Sequence, residues 1–223
     1  DIIREIHLQY LQAGADIIET NTFNGTSISM VDYALESEVR NINIAGAKLA
    51  CEARDEYFKE SGKQCFVAGA VGPTNKTASL PTDVNKPGER SVDWFELFES
   101  YSGQIGALID GGADIILIET IFDTLNAKAA LAAAESEMQK RSITIPLMIS
   151  GTIADASGRI LSGQTLEAFV TSLTHAPLLS LGLNCSFGAH QLSPFVNDLD
   201  KISDLPLSVY PNAGLPDEMG NYT

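Results

Sequence analysis

Two stretches of the sequence, AGADIIETNTF (residues 13–23) and GGADIILIETIFD (residues 111–123), repeat one pattern. Each passes from a glycine through Ala-Asp into an isoleucine-rich run and then reaches Glu-Thr, so that Glu19 and Glu119 occupy matching positions. Near-continuous apolar runs of this length are typical of strands in a parallel sheet that is covered by helices. The repeat favours a barrel of similar strand–helix units over a doubly wound sheet, although a common helix–strand turn would produce the same pattern.

Four further apolar runs, at residues 65–73, 146–153, 178–185 and 206–214, bring the number of predicted strands to six. Helical patterns separate them, among them the alanine-rich segment 124–141 and the apolar spacing of Leu166, Phe169, Val170 and Leu173. No glycine-rich phosphate-binding fingerprint follows the first strand, which counts against a dinucleotide-binding fold. The alternation of strand and helix therefore predicts a parallel α/β fold.

The charge, apolar content and cysteine count of the sequence exclude several classes of binding partner and cellular setting. The 223 residues carry 29 acidic and 14 basic side chains, a formal net charge of −15, which argues against nucleic acid or an anionic membrane surface as partner. No window approaches the roughly 18 uninterrupted apolar residues of a membrane helix. The three cysteines are odd in number and far apart, so we expect no disulfide framework and a cytoplasmic protein.

In a parallel barrel, functional side chains lie where strands end at the carboxyl face. Lysine is missing from every predicted strand end, which makes a Schiff-base aldolase a poor fit. Glu119 ends an apolar strand, where a carboxylate is costly unless a cation or a neighbouring N–H satisfies it, and Glu19 is open to the same argument. The polar residues predicted at this face are Glu19, Thr20, Asn21, Thr22, Thr74, Glu119, Asp123, Ser150, Thr152, Asn184, Cys185, Ser186 and Asn212.

Several of these residues have more than one interpretation. From position alone, Cys185 fits a buried packing residue as well as a reactive thiolate, whereas Cys51 and Cys65 are predicted to be packing residues. Asp123 is predicted to cap the following helix. Asn212 lies in Pro-Asn-Ala-Gly, which is also turn chemistry. The three histidines show no metal-binding spacing.

Six stretches together carry a resemblance to a known family. They resemble, in order and over essentially the whole chain, the homocysteine-binding domain of cobalamin-dependent methionine synthase. The stretches are GADIIETNTFNGTSISMVDY, VAGAVGPTNKTAS, GGADIILIETIFDTLNAKAA, ISGTIADASGRILSGQT, GLNCSFG and YPNAGLP.

The resemblance implies a (β/α)₈ TIM barrel whose strands two to seven are present in residues 1–223, with the first and last strands missing. It implies Zn²⁺ bound by Cys185 and by a Cys-Cys pair that this sequence lacks, with Asn212 able to occupy the fourth zinc position when substrate is absent. Glu119 would receive the ammonium group of homocysteine, and Glu19 and Asn21 would line the site. Residues 1–223 alone, as one incomplete barrel domain, are therefore expected to bind zinc weakly and to turn over negligibly.

The implied reaction is methyl transfer from methylcobalamin to the zinc-bound homocysteine thiolate. The implied partners are homocysteine and the cobalamin-binding domain of the same parent chain, with methyltetrahydrofolate bound by another absent domain. Two alternatives stay open on the sequence: a homocysteine methyltransferase that uses betaine or S-methylmethionine, and a metal-free barrel that binds a ligand without catalysis.

Overall fold

The computed structural model describes residues 2–214, which form an α/β fold with six strands and seven α-helices in that part of the chain. The strands are β1 (Ile17–Glu19), β2 (Phe66–Val71), β3 (Ile115–Ile121), β4 (Leu147–Gly151), β5 (Leu178–Gly188) and β6 (Leu207–Asn212). The helices are α1 (Ile2–Gln12), α2 (Ser27–Met30), α3 (Val39–Ser61), α4 (Trp94–Asp110), α5 (Thr124–Arg141), α6 (Leu166–Leu173) and α7 (Ala189–Ile202).

The six strands form one parallel sheet in the order β1-β2-β3-β4-β5-β6. Each strand pairs with its neighbours in sequence, so the order never reverses as it does in a doubly wound sheet. This is the strand order of a (β/α)₈ barrel, and the six strands make a curled half-barrel. The predicted partial TIM barrel is confirmed.

Side chains on the two faces of the sheet belong to different clusters. On β3, Ile116 and Ile118 face the helices and join the main core, whereas Ile115 and Leu117 join a small inner cluster with Ala68. This alternation follows from the two-residue period of a strand. The inner face is therefore apolar toward the amino ends of the strands. The next inward position on β3, toward its carboxyl end, is that of Glu119.

The loop from Gly72 to Asp93, which follows β2, is tethered to the start of α5. The buried Asp123 carboxylate accepts hydrogen bonds from the backbone and hydroxyl of Ser79, at 3.0 and 2.7 Å, and caps α5 at Leu125 N. The Asn126 side chain accepts a hydrogen bond from Ala78 N at 3.0 Å and donates one to Lys76 O at 2.9 Å. The prediction that Asp123 caps a helix is confirmed.

The helices within residues 2–214 are too short or too polar to cross a membrane.

Candidate active site at the carboxyl ends of the strands

The strand register brings polar side chains together at one end of the inner face. Asn184 on β5 pairs with Tyr210 on β6, and Gly182 pairs with Ser150 on β4. Paired positions in parallel strands present the same face, so all of these side chains face the interior with Glu119. Ser150 follows the Ile118–Ile149 pair and lies level with Glu119, whereas Asn184 and Tyr210 lie one row further toward the carboxyl ends. The inner face thus changes from apolar to polar at the end where barrel enzymes carry their sites.

Glu119 is a buried carboxyl group, with 6% of its surface exposed. Burial, together with the negative charge of Glu19, raises the pKa of Glu119 to about 7, and a hydrogen bond with Tyr210 opposes the rise. The Asn184 amide nitrogen lies 3.4 Å from one Glu119 carboxylate oxygen. A carboxyl group in this state is poised to become charged when a cation arrives, because a cation favours the ionised form.

Glu19 faces the same interior from the edge strand β1. Its side chain is exposed at the open edge, yet the protein around it still raises the pKa of Glu19 by desolvation. A cavity of about 570 Å³ lies against this edge, lined by Glu19, Thr20, Asn21 and Tyr210 together with part of α1. The predicted site residues Glu19 and Asn21 therefore share a cavity wall, and Tyr210 links that cavity to Glu119.

Backbone strain is concentrated at the ends of β3 and β5. Thr120, Cys185 and Ser186 all have left-handed backbones, with φ of 57°, 62° and 58°. A left-handed conformation costs a residue with a side chain about 1–3 kcal/mol and persists where surrounding contacts hold it, most often at functional sites. The register of β3 against β4 shifts between Ile118 and Ile121, and that of β5 against β6 shifts between Asn184 and Gly188.

Cys185 lies within the second of these irregular turns and is half-buried. The next residue, Ser186, shares a hydrogen bond of 2.7 Å with Thr152 at the end of β4. Asn212 ends the neighbouring strand β6 and pairs with Gly188, and it lines a cavity of about 580 Å³ with His190. The two predicted metal ligands, Cys185 and Asn212, are therefore at the same end of adjacent strands.

The other two cysteines lie elsewhere. Cys65 is buried just before β2, at the amino end of the sheet, and its sulfur donates to Ala15 O at 3.4 Å. Cys51 is on α3 and donates to Gly112 O at 3.2 Å. Both match the predicted packing roles, and neither is placed to join Cys185.

The donor set within residues 2–214 falls short of a metal site. This part of the chain contains no group of three or more His, Cys, Asp or Glu side chains arranged to hold a metal ion. A cysteine at this end of the strands suits zinc, but zinc sites take three or four protein ligands, and one cysteine with one asparagine supplies too few. Cys185 and Asn212 therefore fit part of a zinc site.

Comparison with known proteins gives these features a context. The profile of the family described as Homocysteine S-methyltransferase matches residues 1–223. This chain belongs to the homocysteine S-methyltransferase family. The resemblance seen in the sequence is thereby confirmed at the level of the family, and the chain is a homocysteine S-methyltransferase domain.

Solved structures of the family share the fold. The metallated form of the homocysteine methyltransferase MmuM from Escherichia coli matches with 25% identity and a TM-score of 0.77, over 95% of this chain and 72% of that chain. The oxidized form of MmuM matches with 25% identity and a TM-score of 0.76, over 94% of this chain and 70% of that chain. A putative phosphonomutase from Burkholderia cenocepacia J2315 resembles this chain in fold alone. The match has 15% identity and a TM-score of 0.52, over 92% of this chain and 73% of that chain.

Four residues that the structure places around Glu119 in the methyltransferase domain were assigned no role from the sequence. Ser150 and Asn184 were expected at the mouth without a role, and Thr120 and Tyr210 were not singled out. Tyr210 precedes Asn212 by two residues, so the period of a strand places both on one face, and this signal was available in the sequence. The left-handed backbone of Thr120 has no comparable signal.

The raised pKa of Glu119 predicts a dependence of stability on pH. Because the native state holds this proton more tightly than the unfolded chain, the stabilisation is complete below about pH 4.5 and is lost as the pH rises through about 7. Without homocysteine, the free energy of unfolding of Glu119→Gln should therefore rise relative to that of the wild type by about 3 kcal/mol between pH 4.5 and pH 8, at about 1.4 kcal/mol for each pKa unit. Urea unfolding at pH 4.5, 6 and 8 measures the difference, and a difference that stays constant with pH would contradict the prediction.

Proposed function

We propose that this domain binds homocysteine and zinc and activates the homocysteine thiol for methyl transfer in a cobalamin-dependent methionine synthase. The observation that carries the proposal is the placement of Glu119 and Cys185 at the same end of the half-barrel. Homocysteine carries an ammonium group at one end and a thiol at the other. A site for it needs a carboxylate for the first and a means of activating the second, and these two residues match that demand.

Glu119 is the proposed partner of the substrate ammonium. Its environment disfavours the ionised carboxylate while the site is empty, and a bound ammonium would reverse this and lower the pKa of Glu119. Glu19 contributes a second negative charge facing the same space, which favours a cation over a neutral ligand. Asn21, in the wall of the cavity beside Glu19, is proposed to contact the rest of the amino acid.

Cys185 is the proposed zinc ligand from this chain. Bound zinc would keep the homocysteine sulfur deprotonated at neutral pH, where a free thiol is mostly protonated. Further thiolate ligands must come from outside residues 1–223, since Cys51 and Cys65 are held in other parts of the fold. Asn212, on the strand beside Cys185, offers an amide oxygen as a ligand that substrate displaces. The similar homocysteine methyltransferase MmuM is known in a metallated form, which supports a metal in this family.

The identity of the methyl donor separates the proposal from its rivals. The loop GPTNKTASLPTDVNKPG and the stretch ISGTIADASGR favour methylcobalamin as the donor. In this proposal one further domain of the natural protein carries the cobalamin and another binds methyltetrahydrofolate. The test supplies the natural protein that contains residues 1–223 with homocysteine and, in separate reactions, methylcobalamin, betaine or S-methylmethionine. Methionine formed from methylcobalamin alone is the expected result. Turnover with either of the other donors would assign the chain to that class, and no turnover with any donor would favour a non-catalytic barrel.

A further inference from the structure

Thr120 breaks the regular backbone of β3 immediately after Glu119. Its left-handed conformation, with φ of 57°, is unusual for a β-branched residue and costs free energy that some contact must offset. The residue lies within the register shift against β4, between Ile118 and Ile121, so the ladder of that pair does not hold it. The orientation of the Glu119 carboxyl group depends on this turn, because the two residues share a peptide bond.

The buried side chain of Asn184 supplies the missing contacts. Its amide oxygen accepts hydrogen bonds from Thr120 N at 3.0 Å and from the Ser150 hydroxyl at 2.7 Å. Its amide nitrogen donates to the Thr120 hydroxyl at 2.7 Å and approaches a Glu119 carboxylate oxygen at 3.4 Å. A backbone N–H can only donate, so the atom facing Thr120 N must be the amide oxygen, and the orientation of the amide is fixed.

The same asparagine adjoins the second strained turn. Cys185 and Ser186 follow it directly, and both have left-handed backbones. Asn184 itself is paired with Tyr210 in the sheet, and the Tyr210 hydroxyl lies 2.6 Å from that of Ser150. One buried residue on a regular part of β5 is therefore bonded to the turn that carries Glu119 and covalently linked to the turn that carries Cys185.

We propose that Asn184 is a positioning residue that clamps the left-handed turn at Thr120 and so fixes the separation between the Glu119 carboxylate and the Cys185 thiol. The inference rests on the proposed function, in which those two groups hold opposite ends of homocysteine. A substrate held at both ends tolerates little error in this separation, because misplacement of reacting groups by about 1 Å can cost about 100-fold in rate. Asn184 would thus control the binding of the substrate by holding the turn that carries Glu119.

A double-mutant cycle between Asn184 and Thr120 tests the clamp. In the natural protein, Asn184→Ala is expected to raise the KM for homocysteine about tenfold or more, which corresponds to about 1.4 kcal/mol. Glycine adopts the left-handed backbone without strain, so the same change in a Thr120→Gly background should raise the KM by less than about threefold. Non-additivity of the same sign is expected in the free energies of unfolding from urea titrations. Independent, additive effects of the two substitutions on both quantities would overturn the proposal.

Two further variants keep the test decisive if Asn184→Ala folds poorly. Thr120→Val preserves the shape and the strain but removes the hydroxyl that accepts from Asn184, and should raise the KM severalfold with little change in kcat. Asn43→Ala removes another fully buried asparagine, which bonds Gly25 O and Val39 O, and should lower stability without changing the KM. A KM that is unchanged in Thr120→Val, or that rises as much in Asn43→Ala, would overturn the clamp. A wild-type protein that does not bind homocysteine would refute the proposed function instead, whatever the coupling in unfolding shows.

Discussion

Replacing Cys185 with alanine should remove bound zinc from the natural protein that contains residues 1–223 and lower kcat/KM for homocysteine by more than about 100-fold. Removing a group that merely supports a zinc ligand already costs about 10- to 100-fold in metal affinity or activity, so loss of a ligand itself should cost more. The thiol is half-buried in a strained turn at the carboxyl end of β5, and within residues 2–214 Cys185 is not part of the main hydrophobic core.

Cys65→Ala provides the matched control for this prediction. Cys65 is more deeply buried than Cys185, but it belongs to the cluster between α1 and α3 at the other end of the sheet. Its replacement should therefore lower stability while the zinc content stays at that of the wild type. Elemental analysis of the purified proteins gives the zinc content without an activity assay. Equal zinc in the wild type and in Cys185→Ala, or no zinc in either, would return Cys185 to the role of a packing residue.

The sequence was sufficient to predict the order of the strands and the placement of the two glutamates at strand ends. The glycine, Ala-Asp and isoleucine pattern placed Glu19 and Glu119 at equivalent strand ends, and the structure has both facing the interior. The boundaries of α5 were also predicted, because alanine-rich helix formers fill residues 124–141 and Asp123 caps them. These features depend on residues close together in the chain, so patterns in the sequence predict them.

The arrangement around Asn184 could not be predicted in the same way. Its partners Thr120 and Ser150 are 64 and 34 residues away in the chain, so no periodicity connects them. The left-handed turns at Thr120 and Cys185 also cannot be predicted from residue propensities, because these favour glycine or asparagine at left-handed positions. Non-local contacts hold these residues in a conformation that their own side chains disfavour, and such positions are common where a site is built.

Glu119→Gln should lower kcat/KM for homocysteine by about 100- to 1,000-fold in the natural protein. Truncating one partner of a buried, hydrogen-bonded charge pair costs about 2–5 kcal/mol, much of it the penalty of leaving the other charge unpaired. Here the unpaired charge would be the substrate ammonium, left without the buried carboxylate that Tyr210 and Asn184 adjoin. The loss should be confined to substrates with an ammonium group. With 4-sulfanylbutanoate, which lacks it, the variant and the wild type should differ by less than about threefold.

Glu137→Gln is the matched control, since Glu137 has the same 6% exposure but pairs with Lys140 and Arg141 on α5. It should lose stability and keep the preference for homocysteine over 4-sulfanylbutanoate. Glu119→Gln should do the opposite, gaining stability relative to the wild type as the pH rises to 8, because it no longer buries a carboxylate, and losing the preference. The cost of burying the Glu119 carboxylate is explained if that carboxylate binds the substrate ammonium. If Glu119→Gln lost activity equally towards both thiols, the carboxylate would act on the sulfur or on the fold, and the assignment of Glu119 to the ammonium would be wrong.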